Sequence, residues 1–277
     1  MQSRVEHRLF LWDFSNEARW RDTCQTQSTF LDEIMNTGGF ISQIWSIPGF
    51  TINGCIPDFM HCVDLGITQS VCGNITWEII RWLGGSYNNW QTACGLLLNM
   101  VALASKNPDV PKPFNTLTIG MVLSKAGGKP QMKLKAAEGR HSVPVLKRIL
   151  QHFLPMDGPH ALLRYQCLDA LHSVYLDLEH WQPSSPMNFE KHMQQHLLLY
   201  AELCTQSTDK RKWSLTPKHH LACHLSFAGT NPRELWNYLD ETEIGKCGIM
   251  ASNSNQIYIP TTLMQRYRNT FRMEARL

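Results

Sequence analysis

The ten residues "PDFMHCVDLG", Pro57–Gly66, hold the densest set of groups suited to chemistry, with Asp58, His61, Cys62 and Asp64 close together. They follow an apolar run, Phe50 to Ile56, where the pattern turns from extended chain to helix. A carboxylate at such a junction is a hard-oxygen ligand for Mg²⁺, or equally a helix N-cap that accepts a backbone N–H. His61 and Asp64, at i and i+3, can share a helical face, whereas the adjacent His61 and Cys62 diverge. For His61 the simpler expectation is a hydrogen bond to a neighbouring acid.

A second cluster lies in "PKHHLACH". Pro217 after Thr216 reads as the first position of a helix. His220 and His224 then stand at i and i+4, with Cys223 beside them, a spacing that suits Zn²⁺. The glutamate of an HExxH site is missing, since Leu221 and Ala222 follow His220, so polar histidines near a helix start remain the alternative. Far downstream, "LDETEIGKCG" puts Glu241 and Glu243 on an expected helix, from which one could join Asp58 at a metal pair. No GxxxxGK[ST], GxSxG or GxGxxG pattern occurs.

The elements that must position these groups are mostly helical. Val63, Ile67, Val71, Ile75 and Ile79 recur every four residues and predict one helix ending at Gly84-Gly85. Asn88 can cap the next, with Trp90, Cys94, Leu97 and Val101 inward. Residues 105–135 read as a loop with one short element near 117–123. Further helices follow: one interrupted near Pro144, one with Tyr165, Leu168, Leu171, Tyr175 and Leu178 on a stripe, and one begun by a Ser185 cap and Pro186. The last of these carries Phe189, Met193, Leu197 and Tyr200 inward, and helical stretches near 233–250 and 261–274 end the chain. Strands are expected only in the N-terminal quarter, in "RLFLWDF" and the Gly- and Pro-punctuated run before Pro57.

Composition bounds the function. An apolar fraction of 43% with 18% charged residues fits a folded chain, and no apolar run is long enough to span a bilayer. We therefore expect no membrane partner and an intracellular location. Nine scattered cysteines without a CxxC pair point to reduced, buried thiols. The net charge of +3 is unevenly spread. Residues 1–124 carry seven basic and ten acidic side chains. Residues 125–148 carry Lys125, Lys129, Lys133, Lys135, Arg140, Lys147 and Arg148 against Glu138 alone. Such a run suits contact with nucleic-acid phosphates, or is a solvated basic face.

Three stretches together resemble CACTA-type DNA transposases, cut-and-paste enzymes with a DDE site on an RNase H-like fold. "IPDFMHCVDLGI" is similar to the family's DxMHxxxLG signature around the second aspartate. "GRHSVPVLKRILQHFLP" resembles its histidine-led helix. "LTPKHHLACHL" and "LWNYLDETEIGKCGIMASNSN" resemble its PKxHxxxH segment and the late helix with the glutamate. Carried over by position, Asp58 matches the second aspartate and Glu241 the glutamate, with Glu243 as rival. His61 then braces Asp58, Gly66 lets its helix pack closely on a sheet, and Asp64 is a surface or supporting residue. The first aspartate has one candidate here, Asp13 in "LFLWDF".

The resemblance implies an α+β, predominantly α chain: a partial RNase H-like core with a large helical insertion. Its parts would be 1–84 with the second aspartate, 85–230 with the basic segment 125–148, and 231–277 with the glutamate. The implied activity is Mg²⁺-dependent DNA strand cleavage and transfer, in a transposon-derived chain that is incomplete and inactive alone. The alternative from another class is a non-catalytic helical module that binds nucleic acid or protein.

Overall fold

A computed structural model of the chain describes residues 13–15, 17–23, 26–39, 41–48, 51, 56–84, 89–106, 111–123, 128–153, 159–225, 230–235, 237, 244–247, 249, 252 and 264–265. The chain divides into two compact units, Met1–Leu235 and Trp236–Leu277. In the second unit residues 244–247 are helical, within the helix expected near 233–250.

In the first unit, α1 (Gln27–Asn36) starts where the Thr26 side chain accepts from Thr29 N. The period-four row Val63, Ile67, Val71, Ile75 and Ile79 is buried along its whole length. It is carried by two consecutive helices, α2 (Met60–Thr68) and α3 (Gln69–Gly84). The first of them has π geometry, with i→i+5 bonding, which is rare beyond a single turn and concentrates at functional sites. α4 (Trp90–Ala104) turns Cys94, Leu97 and Val101 inward and packs on α3. It starts after Asn89, while Asn88 lies outside the described residues.

The short α5 (Ile119–Val122) precedes α6 (Ala136–Phe153), which lies against α2, α3, α4 and the following helix. Pro144 is inside α6 and does not interrupt it. A proline there forfeits one helical bond, at a cost of about 3 kcal/mol. Burial of Val143, Val145, Leu146, Ile149 and Leu150 around it supplies the compensation that local propensity lacks. α7 (Pro159–Glu179) and α8 (Ser185–Gln206) form a hairpin with the expected apolar stripes inward. Only Tyr165 of those stripes is half-exposed, and the α8 cap falls one residue early, at Ser184. α9 (Pro217–His224) is opened by a reciprocal cap between Thr216 and His219 and packs on α2 and α8.

The fold is therefore predominantly α. Among the described residues no strand forms, and β pairing is confined to one antiparallel bridge, Leu123 to Pro130. In the N-terminal quarter, where strands were the expectation, the described residues form α1 and two 3-10 turns, Arg19–Thr23 and Gln43–Ser46, while "RLFLWDF" lies outside the described residues except for Asp13 and Phe14. There Ser42 accepts from Ile44 N and Gly38 adopts φ +69°, so the described part of the punctuated run makes caps and turns.

Candidate functional site

Of the stretches that carry the resemblance, those on α6 and α9 both pack on α2, and the one holding Glu241 lies largely outside the described residues. At its start Asp58 Oδ2 accepts from His61 N at 2.8 Å and from His61 Nδ1 at 2.7 Å. The cap and the brace are thus one arrangement, with Asp58 mostly covered and His61 half-exposed. Across from it, Lys218 of α9 donates from Nζ to the His61 carbonyl at 2.7 Å and the Leu65 carbonyl at 3.4 Å. Cys62 Sγ donates to Lys218 O at 3.1 Å. Gly66 makes room for this lysine: a Cβ there would lie 2.5 Å from Lys218 Cδ. Its close neighbour is a lysine stem, not a sheet. Burial pushes the Cys62 thiol up to about 12 despite the nearby Lys218 charge, so this cysteine is a packing group and not a nucleophile.

Asp64 is fully buried, which corrects its reading as a surface residue. Tyr175 OH donates to Asp64 Oδ1 at 2.6 Å and lies 2.7 Å from Thr68 Oγ1. Burial first, then the Asp64 carboxylate, holds the Tyr175 phenol well above its ordinary range. Arg140 of "GRH" acts on this tyrosine electrostatically, as do Asp64, Tyr175, Arg140 and Glu179 on Arg233. Gly139 brings α6 to 3.6 Å from the Asp64 carbonyl, measured from a Cβ built there. Buried Asp64 and Tyr175, half-buried Arg140 and Arg233 and exposed Glu179 therefore form a polar cluster that runs from the interior to the surface, and the sequence placed Tyr175 only on an apolar stripe and did not mark Arg233.

His220 and His224 share one face of α9, as their spacing predicts, with Nε2 atoms 3.2 Å apart. Cys223 does not join them; it is buried, and its Sγ donates to His219 O at 3.7 Å. Burial, His220 and Arg21 lower the His224 pKa, so a cation faces this histidine pair. Among the described residues no group of three or more His, Cys, Asp or Glu is placed to hold a metal ion. Glu241, Glu243 and Lys125 lie outside the described residues. Asp13 is exposed, and its Oδ1 accepts from Ser15 N at 3.0 Å, which makes it part of a turn.

The basic run separates into two halves. From Pro130 to Ala136 the chain alternates strictly: Pro130, Met132, Leu134 and Ala136 are buried, while Gln131, Lys133 and Lys135 are exposed, as is Lys129. This extended segment is clamped by Gln131 N to Val122 O at 2.9 Å, Lys133 N to Met121 O at 2.7 Å and Met132 N to Gln69 O at 2.9 Å. It crosses α3 at Gly73, where a Cβ would stand 2.5 Å from Gln131 Cα. The helical half behaves differently. Arg140, Lys147 and Arg148 are half-buried; Lys147 pairs with Asp169, and Arg148 Nη1 donates to Ala104 O at 3.0 Å.

Sequence reading also passed over Glu78 and Trp213. Glu78 accepts from Arg164 Nη1 and Trp213 Nε1, both at 2.9 Å, with His160 at 3.4 Å. Burial raises its pKa, but these hydrogen bonds and the Arg164 charge outweigh it and bring the value to about 2. Trp213 is fully buried at φ +48°, in the left-handed region that a bulky side chain seldom adopts. Its backbone N–H also donates to Asn74 Oδ1 at 2.9 Å. No local sequence signal marks either residue. No family model, curated protein or solved structure matches this chain.

Proposed function

We propose that this is a transposon-derived, nuclear protein of CACTA type whose role is to bind DNA through the lysine strand, residues 128–135. The carrying observation is the alternation of Lys129, Lys133 and Lys135 on one exposed edge of a segment seated on Gly73. Fixed cations spaced along an extended backbone suit a polyphosphate, and their release of counterions supplies sequence-independent affinity. No described helix is long and apolar enough to cross a membrane. The strand cleavage that the resemblance implies would need Asp58 and Glu241 to share Mg²⁺. Of these the described residues include only Asp58, whose Oδ2 already takes two hydrogen bonds from His61. They do not supply a Mg²⁺ donor set, and no cleavage step is part of the proposal; the same holds for Zn²⁺ at His220, Cys223 and His224.

The test is duplex binding measured by fluorescence anisotropy across a salt series. Replacing Lys133 and Lys135 together by glutamate should weaken binding at least tenfold and reduce the slope of log K against log salt by about 2. Affinity unchanged by both salt and these substitutions would remove the strand as the binding surface.

A further inference from the structure

Next to the lysine strand lies a cleft of about 270 Å³, walled by Trp77, Trp90 and Pro130 and rimmed by Arg81, Arg211 and Lys212. We infer that this cleft holds one unpaired nucleotide, with the base against the half-exposed Trp90 and the phosphate between Arg81 and Lys212. The inference deepens the DNA-binding proposal and rests on it for the source of the nucleotide.

The cleft is built from fixed parts. Its loop, 207–216, is anchored by Trp213, whose indole and backbone are tied to Glu78 and Asn74 inside the core. Left-handed backbone at a bulky residue is held only where its surroundings over-determine it, and such positions concentrate at ligand clamps. The anchor sets the direction of its neighbours. Asp209 holds the Arg211 guanidinium as a fork, with Nε to Oδ1 at 2.9 Å and Nη2 to Oδ2 at 2.8 Å. Lys212 N is fixed to Asp209 O at 2.9 Å.

On the opposite wall the indoles of Trp77 and Trp90 stand edge to face, centroids 4.7 Å apart, so Trp77 braces Trp90. Three cations against Asp209 alone leave the cleft positive. An anion with a flat ring matches a positive rim beside an aromatic wall, since bases stack on indoles and phosphates pair with Arg and Lys. The volume is just below the usual small-molecule range of about 300–1,000 Å³, which suits no more than a single nucleotide. A base reaches such a wall only when unstacked from its neighbours, so the strand must be single at that point. Gly128 and Pro130 line the cleft, and Lys129 stands between them, so a strand lying on the lysines passes its mouth.

Tryptophan emission and anisotropy of the full chain, titrated with oligothymidylate, a duplex of equal length and thymidine monophosphate, test this. Oligothymidylate should quench emission and bind more tightly than the mononucleotide. Arg81→Gln with Lys212→Gln should weaken single-strand binding about tenfold and leave duplex binding within about twofold. Trp90→Leu should abolish the quench, and the two surface substitutions keep the test valid if that variant does not fold. Unchanged single-strand affinity in the Arg81/Lys212 variant, or equal loss for both DNA forms, overturns the cleft assignment. Mononucleotide binding as tight as the strand overturns the strand as its source. Quenching by the mononucleotide with no binding of either DNA form would support the cleft and reject the DNA-binding proposal; no binding of any probe rejects both.

Discussion

Lys133 and Glu78 both lie against the core built on α3, and their side chains stand in opposite surroundings. Lys133 is on the exposed edge of the lysine strand, where water solvates the ammonium and its neighbours on the edge are other cations or Gln131. Glu78 is mostly covered and ionised because three donors converge on it from α7 and the 207–216 loop. The same interior holds His196 and His219 as neutral rings. His196 Nδ1 donates to Cys167 O at 2.8 Å, and His219 Nδ1 accepts from Thr216 N at 3.0 Å. Their Nε2 atoms are buried without a hydrogen-bond partner. Outside, charge is available to a ligand; inside, protonation state is committed to the fold.

That division can be broken most severely at Glu78. Glu78→Gln keeps the shape but leaves Arg164, itself nearly buried, facing a neutral amide. Removing one partner of such a pair costs about 3 kcal/mol or more. Urea denaturation at neutral pH should show that loss, and a change below about 1 kcal/mol would mean that Glu78 is not held ionised by its donors.

The interior imidazoles give the next effect through pH. Burial lowers the His196 pKa from 6.5 to about 4 and the His219 pKa from 6.5 to about 3. A lowered folded value means that the unfolded chain takes up protons first. Their contribution is therefore whole above pH 6.5 and is lost as pH falls from there to about 4 for His196 and about 3 for His219. Between pH 7 and 5 each ring should remove about 2 kcal/mol of stability. His196→Asn, whose amide can still donate to Cys167 O, should lose about half of that dependence. Equal stability of the parent protein at the two pH values would show that the rings are not kept neutral by burial.

How much of this was legible follows the same line between outside and inside. The helical core could be read because apolar periodicity is local: the row from Val63 to Ile79, the α8 stripe and the Thr216-Pro217 start all appear in the structure. The Asp58–His61 bond could be read from a three-residue spacing. Pro144 misled, because helix propensity is local whereas the packing that overrides it is not. Of the two readings of Asp64, surface or supporting, burial removes the first, because an acid beside a helix start looks solvated until a tyrosine from α7 covers it. Glu78, His196 and Trp213 stood alone in the sequence, and their partners lie between 29 and 139 positions away. Gly73 gave no sign that another backbone would cross it.

The smallest effect sharpens the comparison within the basic run itself. Arg148 and Lys135 belong to one stretch of like charge, yet only Arg148 is tied inward, through its bond to Ala104 O. Hydrogen bonds from a charged donor contribute about 1.5–3 kcal/mol, and partial exposure places Arg148 at the lower end. Arg148→Met should therefore lower stability by about 1.5 kcal/mol and leave duplex binding within about twofold. Lys135→Met removes a solvated ammonium with a side chain of similar length, so stability should stay within about 0.5 kcal/mol. Duplex binding should fall, and its salt slope should drop by about 1. The two variants thus move opposite readouts from one charged run. If Arg148→Met weakened DNA binding as much as Lys135→Met at unchanged stability, the helical half would be part of the surface, and the boundary drawn between the two halves would be wrong.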